Sequence, residues 1–383
     1  MGTRPRVLPN RQRDRDRSNI GEYIMEEETS PRVIAWESTR ACRFACIHCR
    51  ADAQTEPDPR QLTTEEVYRL VDEIAEFSKP VFIISGGDPL LRKDIFDIAA
   101  RADRKGLKVV MSPSGSRIVP ETVRRMRESG VRMISISLDG SNPEVHDGFR
   151  RVAGSFEMAT STVDVLRDCG MPFQINTTVT QHNLKDLPNI RDLAVKLGAS
   201  TWDVFMLVPT GRAKVRMEIT PEEYEETLNR IYRWNHSSPI PIKMTCAPHY
   251  MRIITQMERE VGSRPPVRAG DRAHGRRPSS RLGGRGCMAG NGFCFISSIG
   301  EVYGCGFLPL KAGDIRQEHF RKIYRESPLF RSLRNYDLLD GRCGICEYKS
   351  ICGGCRARAL GSSENFLGEE PYCTYIPAIK RRL

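Results

Sequence analysis

The stretch Thr39-Arg40-Ala41-Cys42-Arg43-Phe44-Ala45-Cys46-Ile47-His48-Cys49-Arg50 places three cysteines within eight residues. A four-iron cluster normally takes four thiolates, so three close cysteines without a fourth predict a cluster with one iron left open. An open iron can hold a small molecule, and the cluster then serves as a reagent rather than only as an electron carrier. The alternatives are buried free thiols or a zinc site, although zinc sites usually show paired C-x-x-C arms.

A second loop rich in small residues follows the next strand along the chain. Val33–Trp36 is expected to be a strand that ends at the cysteine stretch, and the apolar run Val81–Ile84 predicts another, buried on both faces. This second strand ends in Ser85-Gly86-Gly87-Asp88-Pro89-Leu90. Glycine allows the backbone to approach a ligand closely, although a Gly-Gly turn alone is weak evidence.

Strand and helix patterns alternate through the next 120 residues. Further strands are expected at 107–111, 133–138, 173–179 and 202–206, with helices between them. Six strand–helix units in succession predict an α/β fold with a parallel sheet and right-handed crossovers. Because each motif follows a strand, all of them should lie at the C-terminal edge of that sheet.

The C-x-x-x-C-x-x-C pattern and the Gly-Gly-Asp-Pro turn together resemble the radical S-adenosylmethionine (SAM) superfamily. The resemblance implies a partial (β/α)6 TIM-like barrel in which Cys42, Cys46 and Cys49 bind a [4Fe-4S] cluster. Its open iron would chelate SAM, and reductive cleavage would give a 5′-deoxyadenosyl radical. Arg150 would pair with the SAM carboxylate, with Arg151 as a rival.

The same resemblance implies a set of further SAM contacts: His48, Gly86, Gly87, Asp88, Pro89, Ser137 and Asn176. For His48 and Ser137, simple packing is an equally good interpretation. Asp88 replaces the usual Glu, and Ser114 stands where relatives often have Asn, which weakens any side-chain role at that loop.

The C-terminal quarter holds a second group of cysteines, and residues 293–305 alternate around Gly300 as a hairpin would. This region resembles a SPASM domain, which implies one or two auxiliary [4Fe-4S] clusters. One cluster would be held by Cys287, Cys294, Cys305 and Cys355, the other by Cys343, Cys346, Cys352 and Cys373. The spacing at Cys355 departs from the SPASM pattern by one residue. Cys169 and Cys246 remain, interpreted as a helix-end residue and a packed loop residue.

A zinc ribbon is the alternative for this region, but its C-x-x-C arms usually lie about 15–20 residues apart. Here only five residues separate Cys346 from Cys352.

Composition excludes several classes of protein. The 383 residues, 39% of them hydrophobic, suit a globular protein, and no apolar run is long enough to span a membrane. Residues 1–17 and 258–286 carry +4 and +5 of the net +11 charge, so a basic nucleic-acid-binding face is not expected. The chain has thirteen cysteines and no export signal. This combination predicts a cytoplasmic protein whose cysteines bind metal or take part in redox chemistry rather than form disulfides. We expect a disordered segment at 1–30, a radical SAM core at 31–250, a basic linker at 251–286 and an iron–sulfur domain at 287–383.

Residues Arg32–Tyr375 resemble most of all the radical SAM enzymes of the alternative heme pathway. That resemblance implies a tetrapyrrole substrate, iron-coproporphyrin III, two of whose propionates are oxidatively decarboxylated to give heme b. It also implies a low-potential electron donor such as flavodoxin or ferredoxin. Arg212, Arg356 and Arg358 are candidate partners for the porphyrin carboxylates. The rivals are another tetrapyrrole side-chain enzyme, a maturase of a ribosomal peptide and a non-catalytic electron carrier.

Overall fold

The structure is a computed structural model that describes residues 30–260 and 286–381. The expected disordered lead-in and most of the basic linker lie outside these residues. Within them, no helix is both long enough and apolar enough to cross a membrane.

The first part of the chain alternates strands with helices, as expected. The strands are β1 Val33–Glu37, β2 Val81–Ser85, β3 Lys108–Met111, β4 Met133–Ser137, β5 Phe173–Val179, β6 Trp202–Met206 and β7 Ile242–Thr245. The helices are α1 Thr64–Phe77, α2 Ile95–Arg104, α3 Pro120–Glu128, α4 Pro143–Arg150, α5 Ser155–Asp168, α6 Leu187–Lys196, α7 Pro221–Ser237 and α8 Tyr250–Glu260.

The second part is built of shorter elements. Its strands are β8 Phe293–Ile296, β9 Glu301–Tyr303 and β10 Lys311–Asp314. Its helices are α9 Phe320–Glu326, α10 Pro328–Arg334, α11 Gly341–Gly344 and α12 Arg356–Ser363. The antiparallel pairing of β8 with β9 confirms the hairpin expected around Gly300.

All ten strands form one open sheet in the order β10-β9-β8-β1-β2-β3-β4-β5-β6-β7. Strands β1 to β7 run parallel, and β8 continues the sheet in parallel beyond β1, with Cys294 opposite Ile34. The parallel sheet is therefore a partial barrel that does not close, because β1 pairs with β8 rather than with β7.

Local sequence signals account for the elements that support this sheet. Helix α1 begins at a capping box, in which Thr63 and Glu66 satisfy each other's backbone amides. Its face Val67, Leu70, Val71 and Ile74 is buried, at the spacing of an amphipathic helix. Beneath it, Trp36 of β1 stacks on Phe82 of β2 with ring centroids 5.9 Å apart.

Three elements differ from the sequence expectation. A seventh parallel strand, β7, follows the six expected units. Helix α4 was not anticipated, although Asn142 caps it and Pro143 begins it, which is a recognisable start signal. The linker expected from residue 251 is wrong for its first ten residues, because α8 runs to Glu260 with Tyr250 and Ile253 buried.

Candidate functional site

The cysteine loop that follows β1 is held open by backbone hydrogen bonds rather than by its own side chains. Ala41 forms an isolated bridge with Gln54, and the Cys42 amide donates to the Gln54 carbonyl at 2.7 Å. The Phe44 amide donates to Cys42 Sγ at 3.3 Å, and the Ala53 amide donates to Cys49 Sγ at 3.4 Å. Burial raises the pKa of the Cys42 thiol, and the Phe44 amide offsets part of this effect.

The glycine turn after β2 packs directly on this loop. A Cβ atom at Gly86 would lie 2.4 Å from the Thr39 carbonyl oxygen, and one at Gly87 would lie 2.3 Å from that of Ala41. The Gly87 amide donates to Thr39 and the Asp88 amide to Ala41, both at 2.7 Å. The two glycines are therefore required for contact with the cysteine loop, before any ligand is considered.

Asp88 and Pro89 position the loop that follows β3. Asp88 is fully buried, and its Oδ1 accepts from the amides of Leu90 and Ser114. Burial raises the pKa of this carboxyl, and its Oδ2 has no partner within the described residues. Pro89 begins a short 3-10 helix, Pro89–Leu91. Asp88 thus ties the loop after β3 to the cysteine loop.

Arg150 lies at the end of α4 against the cysteine loop. Its guanidinium pairs with Asp139 and lies 3.6 Å from Cys46 Sγ. Burial opposes its charge, but Asp139 and Cys46 outweigh this effect and raise its pKa. Its Nε is buried without a partner among the described residues. Its neighbour Arg151 is exposed and serves as the left-handed cap of α4, which favours Arg150 as the ligand-facing residue.

His48 packs in the same corner, with its ring 4.3 Å from that of Phe149. Burial and the positive charges of Arg150 and Arg212 hold the pKa of this imidazole well below its ordinary value. His48 is therefore neutral, and its Nδ1 is buried without a partner among the described residues.

A cleft of about 430 Å³ opens beside the cysteine loop, between the ends of β3 and β4 and helices α4 and α5. Phe44, Ser137 and Arg150 line it, together with the Ser114-Gly115-Ser116 loop. Two expected SAM contacts, Ser137 and Arg150, are thus brought to one cleft, and the unpaired Nε of Arg150 suits an anionic ligand. Asn176 is not among the lining residues.

Asn176 belongs instead to a polar row that crosses the sheet. Ser137 lies opposite Asn176, and Asn176 lies opposite Asp203. The row ends at Lys243 of β7, opposite Asp203. Thr245 donates to Asp203 at 2.8 Å, and burial raises the pKa of that carboxyl. Paired positions on β4 to β7 therefore carry polar side chains, as a substrate with polar substituents requires.

Arg212, a candidate partner for the porphyrin carboxylates, contacts the cysteine loop. Its Nε donates to the Cys46 carbonyl at 3.0 Å and its Nη1 to the Ala53 carbonyl at 3.1 Å. Its own amide donates to the Cys49 carbonyl at 3.0 Å. Arg212 therefore holds the cysteine loop from the side opposite the glycine turn.

Sequence reasoning missed one bridge between the two parts of the chain. Glu37, the last residue of β1, is fully buried and pairs with Arg50 at 2.8 Å. It also accepts a hydrogen bond from the Ser298 hydroxyl at 3.2 Å. The Arg50 guanidinium lies over the Phe295 ring, 4.3 Å from its centroid. The sequence signal for this bridge was the carboxylate of Glu37 at the end of an apolar strand.

In the C-terminal part, four of the expected ligands surround one cavity of about 460 Å³. These are Cys343, Cys346, Cys352 and Cys373. Arg252 and Arg342 also line it, and both ring nitrogens of the fully buried His249 lack a partner among the described residues. Four thiols with cationic neighbours and an unpaired imidazole fit an anionic thiolate cluster.

The other expected set is only partly brought together. Cys287 and Cys355 both perturb the buried Cys305, whose pKa is raised to about 12, mainly by burial. Cys294, the fourth residue predicted for this set, lies elsewhere in the packing. It lies opposite Ile34 and faces the apolar core, where the charge that influences its thiol is Arg334.

Arg356 and Arg358 are also not available to a substrate, because both are buried. Arg356 donates to the Phe366 and Gly368 carbonyls at 3.0 and 2.7 Å. Arg358 pairs with Glu370 at 2.9 Å, and both side chains are 1% exposed. These arginines hold the loops around the C-terminal cysteines.

Across residues 30–260 and 286–381, no three Cys, His, Asp or Glu side chains are close enough to hold a single metal ion. Each cysteine of a four-iron cluster binds its own iron, so its thiolates lie further apart than the ligands of one ion. The donor arrangement therefore does not support the zinc alternative at either group of cysteines.

Comparison with known proteins agrees with this geometry. Residues 36–194 match the Radical SAM superfamily, and residues 287–356 match SPASM, an iron-sulfur cluster-binding domain. The "AdoMet-dependent heme synthase" of Methanosarcina barkeri is 44% identical over 351 residues, which is 92% of this chain and 98% of that protein. The protein of the same name from Nitratidesulfovibrio vulgaris is 45% identical over 92% of this chain and 95% of its own.

The fold is similar to that of a solved structure, Streptococcus suis SuiB bound to S-adenosylmethionine. The TM-score is 0.71 at 14% identity, over 94% of this chain and 82% of that chain.

Proposed function

The chain belongs to the radical SAM superfamily and carries a SPASM iron–sulfur domain, and we propose that it decarboxylates two propionates of iron-coproporphyrin III to give heme b. The observation that supports this most directly is the 44% identity, over nearly the full length of both chains, to an AdoMet-dependent heme synthase.

The chain's residues provide the two sites that such a reaction requires. When bound, the reduced cluster cleaves SAM and so supplies a radical that takes one hydrogen atom from the substrate. Cys42, Cys46 and Cys49 would hold that cluster, and the glycine turn fixes their loop. Arg150 and Ser137 line the adjoining cleft and would orient the carboxylate and ribose of SAM.

Electron balance gives the C-terminal cysteines a role. The propionate carbon next to the ring loses a hydrogen atom, the bond to the carboxylate breaks, and carbon dioxide leaves. A vinyl group forms and one electron remains for each propionate. The cavity lined by Cys343, Cys346, Cys352 and Cys373 brings four thiols together beside Arg252 and Arg342, which suits an auxiliary cluster that accepts this electron. A cytoplasmic low-potential donor such as flavodoxin or ferredoxin would supply the electron that cleaves SAM.

Two cations are available to the carboxylates of the porphyrin. Arg43 is exposed within the cysteine loop, and Lys243 is exposed at the end of the polar row on β7. Neither makes an ion pair with another described residue. They replace Arg212, Arg356 and Arg358 as the expected carboxylate partners, because those three are committed to backbone and internal contacts.

The test is anaerobic incubation of the holoenzyme with iron-coproporphyrin III, SAM and a reductant. We expect a product lighter by two formic acid equivalents, with two molecules of deoxyadenosine formed for each heme. Lys243→Gln should raise KM for the porphyrin several-fold while deoxyadenosine formation without substrate stays unchanged.

Absence of this product would overturn the proposal. Turnover of a siroheme-derived tetrapyrrole instead would assign the chain to another side-chain-modifying reaction, and turnover of a ribosomal peptide would assign it to the maturases. The three outcomes are separated by the mass of the modified substrate.

A further inference from the structure

Three thiols of the first auxiliary set lie together, and the fourth member expected for that set is absent from the group. The amide of Cys287 donates to the Cys352 carbonyl at 3.0 Å, which places residue 287 beside the loop that leads to Cys355. The thiols of Cys287, Cys305 and Cys355 influence one another electrostatically. A closed four-iron cluster requires one further ligand at this place.

Cys294 cannot supply that ligand, because side chains alternate between the two faces of a strand. Phe295, its neighbour on β8, packs against Tyr303 and lies under the Arg50 guanidinium. Arg50 also influences the Cys305 thiol, so Phe295 and Cys305 lie on the same side. Cys294 points to the opposite face, is 0% exposed and packs in the apolar core.

Cys246, which the sequence interpretation left over, lies where the fourth ligand is required. It follows β7 directly and has a left-handed backbone with φ of 60°, a conformation that is costly outside glycine. Arg358 and the Tyr224 hydroxyl fix its carbonyl with hydrogen bonds of 2.6 and 2.9 Å. The thiols of Cys305, Cys355 and Cys287 lie near enough to interact electrostatically with its own thiol.

Backbone packing shows independently that these segments meet. A Cβ atom at Gly286 would lie 2.5 Å from the Pro248 carbonyl oxygen and 2.6 Å from that of Cys352. Residues 246–248, 286–287 and 352–355 are therefore in direct contact, although some 40 and 65 positions separate them along the chain.

We propose that Cys246 is the fourth thiolate of the first auxiliary cluster, together with Cys287, Cys305 and Cys355, and that Cys294 is a packing residue. The cluster would then be bonded both to the end of a core strand and to the C-terminal domain. The left-handed backbone at Cys246 ends β7 immediately before this residue. The inference rests on the SPASM domain and is independent of the porphyrin substrate.

The test uses the full-length chain with Cys42, Cys46 and Cys49 replaced by Ala, so that only auxiliary clusters contribute iron. In this background we compare Cys246→Ala with Cys294→Ala after anaerobic reconstitution, by iron and sulfide content and by electron paramagnetic resonance. Cys246→Ala should lose about four iron atoms, or retain them with altered g-values because one iron has become open. Cys294→Ala should match the background chain in both measurements.

An unchanged iron content and spectrum in Cys246→Ala would overturn the assignment, as would loss of a cluster in Cys294→Ala. Cys246→Ser provides a second variant in case the alanine variant does not fold. A serine oxygen can bind iron in place of sulfur, so the spectrum should shift while the circular dichroism stays native. A native spectrum in Cys246→Ser would also count against the proposal.

Discussion

The two groups of cysteines in this chain are assembled in different ways. The N-terminal loop takes its three thiols from eight consecutive residues, and Arg43 and Ala45 between them are exposed to solvent. The C-terminal thiols come from separate segments, and burial raises the pKa of Cys352, Cys355 and Cys373. Both groups contain buried and half-buried thiols, so the difference lies in construction: the first group depends on one loop, whereas the second depends on segments that only the folded chain brings together. The comparison predicts that substitutions in the first group mainly reduce SAM cleavage, whereas substitutions around the second group mainly reduce the stability of the fold.

The largest expected effect is at the N-terminal loop. Cys46→Ala should reduce deoxyadenosine formation from SAM to the background of the reductant alone, at least about a thousandfold, because the reaction has no alternative route. Chromatographic measurement of deoxyadenosine under reducing conditions checks this. Cys169→Ala, at the end of α5, is the control and should keep full activity. Undiminished cleavage in Cys46→Ala would contradict the role of the loop.

A large loss of stability is expected in the C-terminal group. Arg358→Met leaves the carboxylate of Glu370 buried without its partner, which should cost about 3–5 kcal/mol in the free energy of unfolding. Arg124→Met removes two exposed helical ion pairs, with Glu121 and Glu128, and should cost only a small fraction of that loss. Anaerobic chemical denaturation of both variants measures the difference. Equal losses would show that the C-terminal network contributes no more than a surface pair.

The glycine turn tests whether the N-terminal loop depends on backbone contact. Gly87→Ala places a methyl group against the Ala41 carbonyl and should lower the rate of SAM cleavage tenfold or more, since the two loops must separate. In the control Gly170→Ala, no atom lies within 4 Å of the added carbon, but the backbone φ is 63°. This variant should therefore cost about 1 kcal/mol of stability and leave the rate of SAM cleavage unchanged. Initial rates and unfolding midpoints of the two variants separate crowding from backbone strain. A normal rate in Gly87→Ala would rule out the need for this contact.

The smallest effect concerns the contact between the two parts of the chain. Burial raises the pKa of Glu218 from 4.5 to about 7, although its bond from the Tyr372 hydroxyl lowers it. Its contribution to stability is therefore full below pH 4.5 and is lost as pH rises through about 7. Between pH 6 and 8 the native chain should lose about 1 kcal/mol more stability than Glu218→Gln. Unfolding midpoints at the two pH values measure this, and parallel pH profiles would contradict it.

The sequence predicted the parallel sheet and the rim loops because these depend on local patterns. Val81–Ile84 followed by Gly86-Gly87 is such a pattern, and the predicted strands Phe173–Val179 and Trp202–Met206 agree with the structure residue for residue. Helix α4 could have been found from Asn142 and Pro143.

Features that depend on distant segments could not be predicted in this way. The resemblance to a SPASM domain grouped Cys294 with Cys287 and Cys305, whereas in the folded chain Cys294 is fully buried in the apolar core. The burial of Arg356 and Arg358 follows from partners such as Glu370 that only the folded chain brings near. No local spacing motif connects Cys246 with Cys287, since 40 residues separate them.

The parallel pairing of β8 with β1 has a consequence for the handling of this protein. Without residues 287–383, the strand that leads into the cysteine loop would become the edge of the sheet, with its amide and carbonyl groups unpaired. Exposed edges of this kind recruit other chains, so a radical SAM core expressed alone should self-associate. A separately supplied C-terminal piece could restore the monomer by inserting β8 at the vacant edge, as one half of a split protein complements the other.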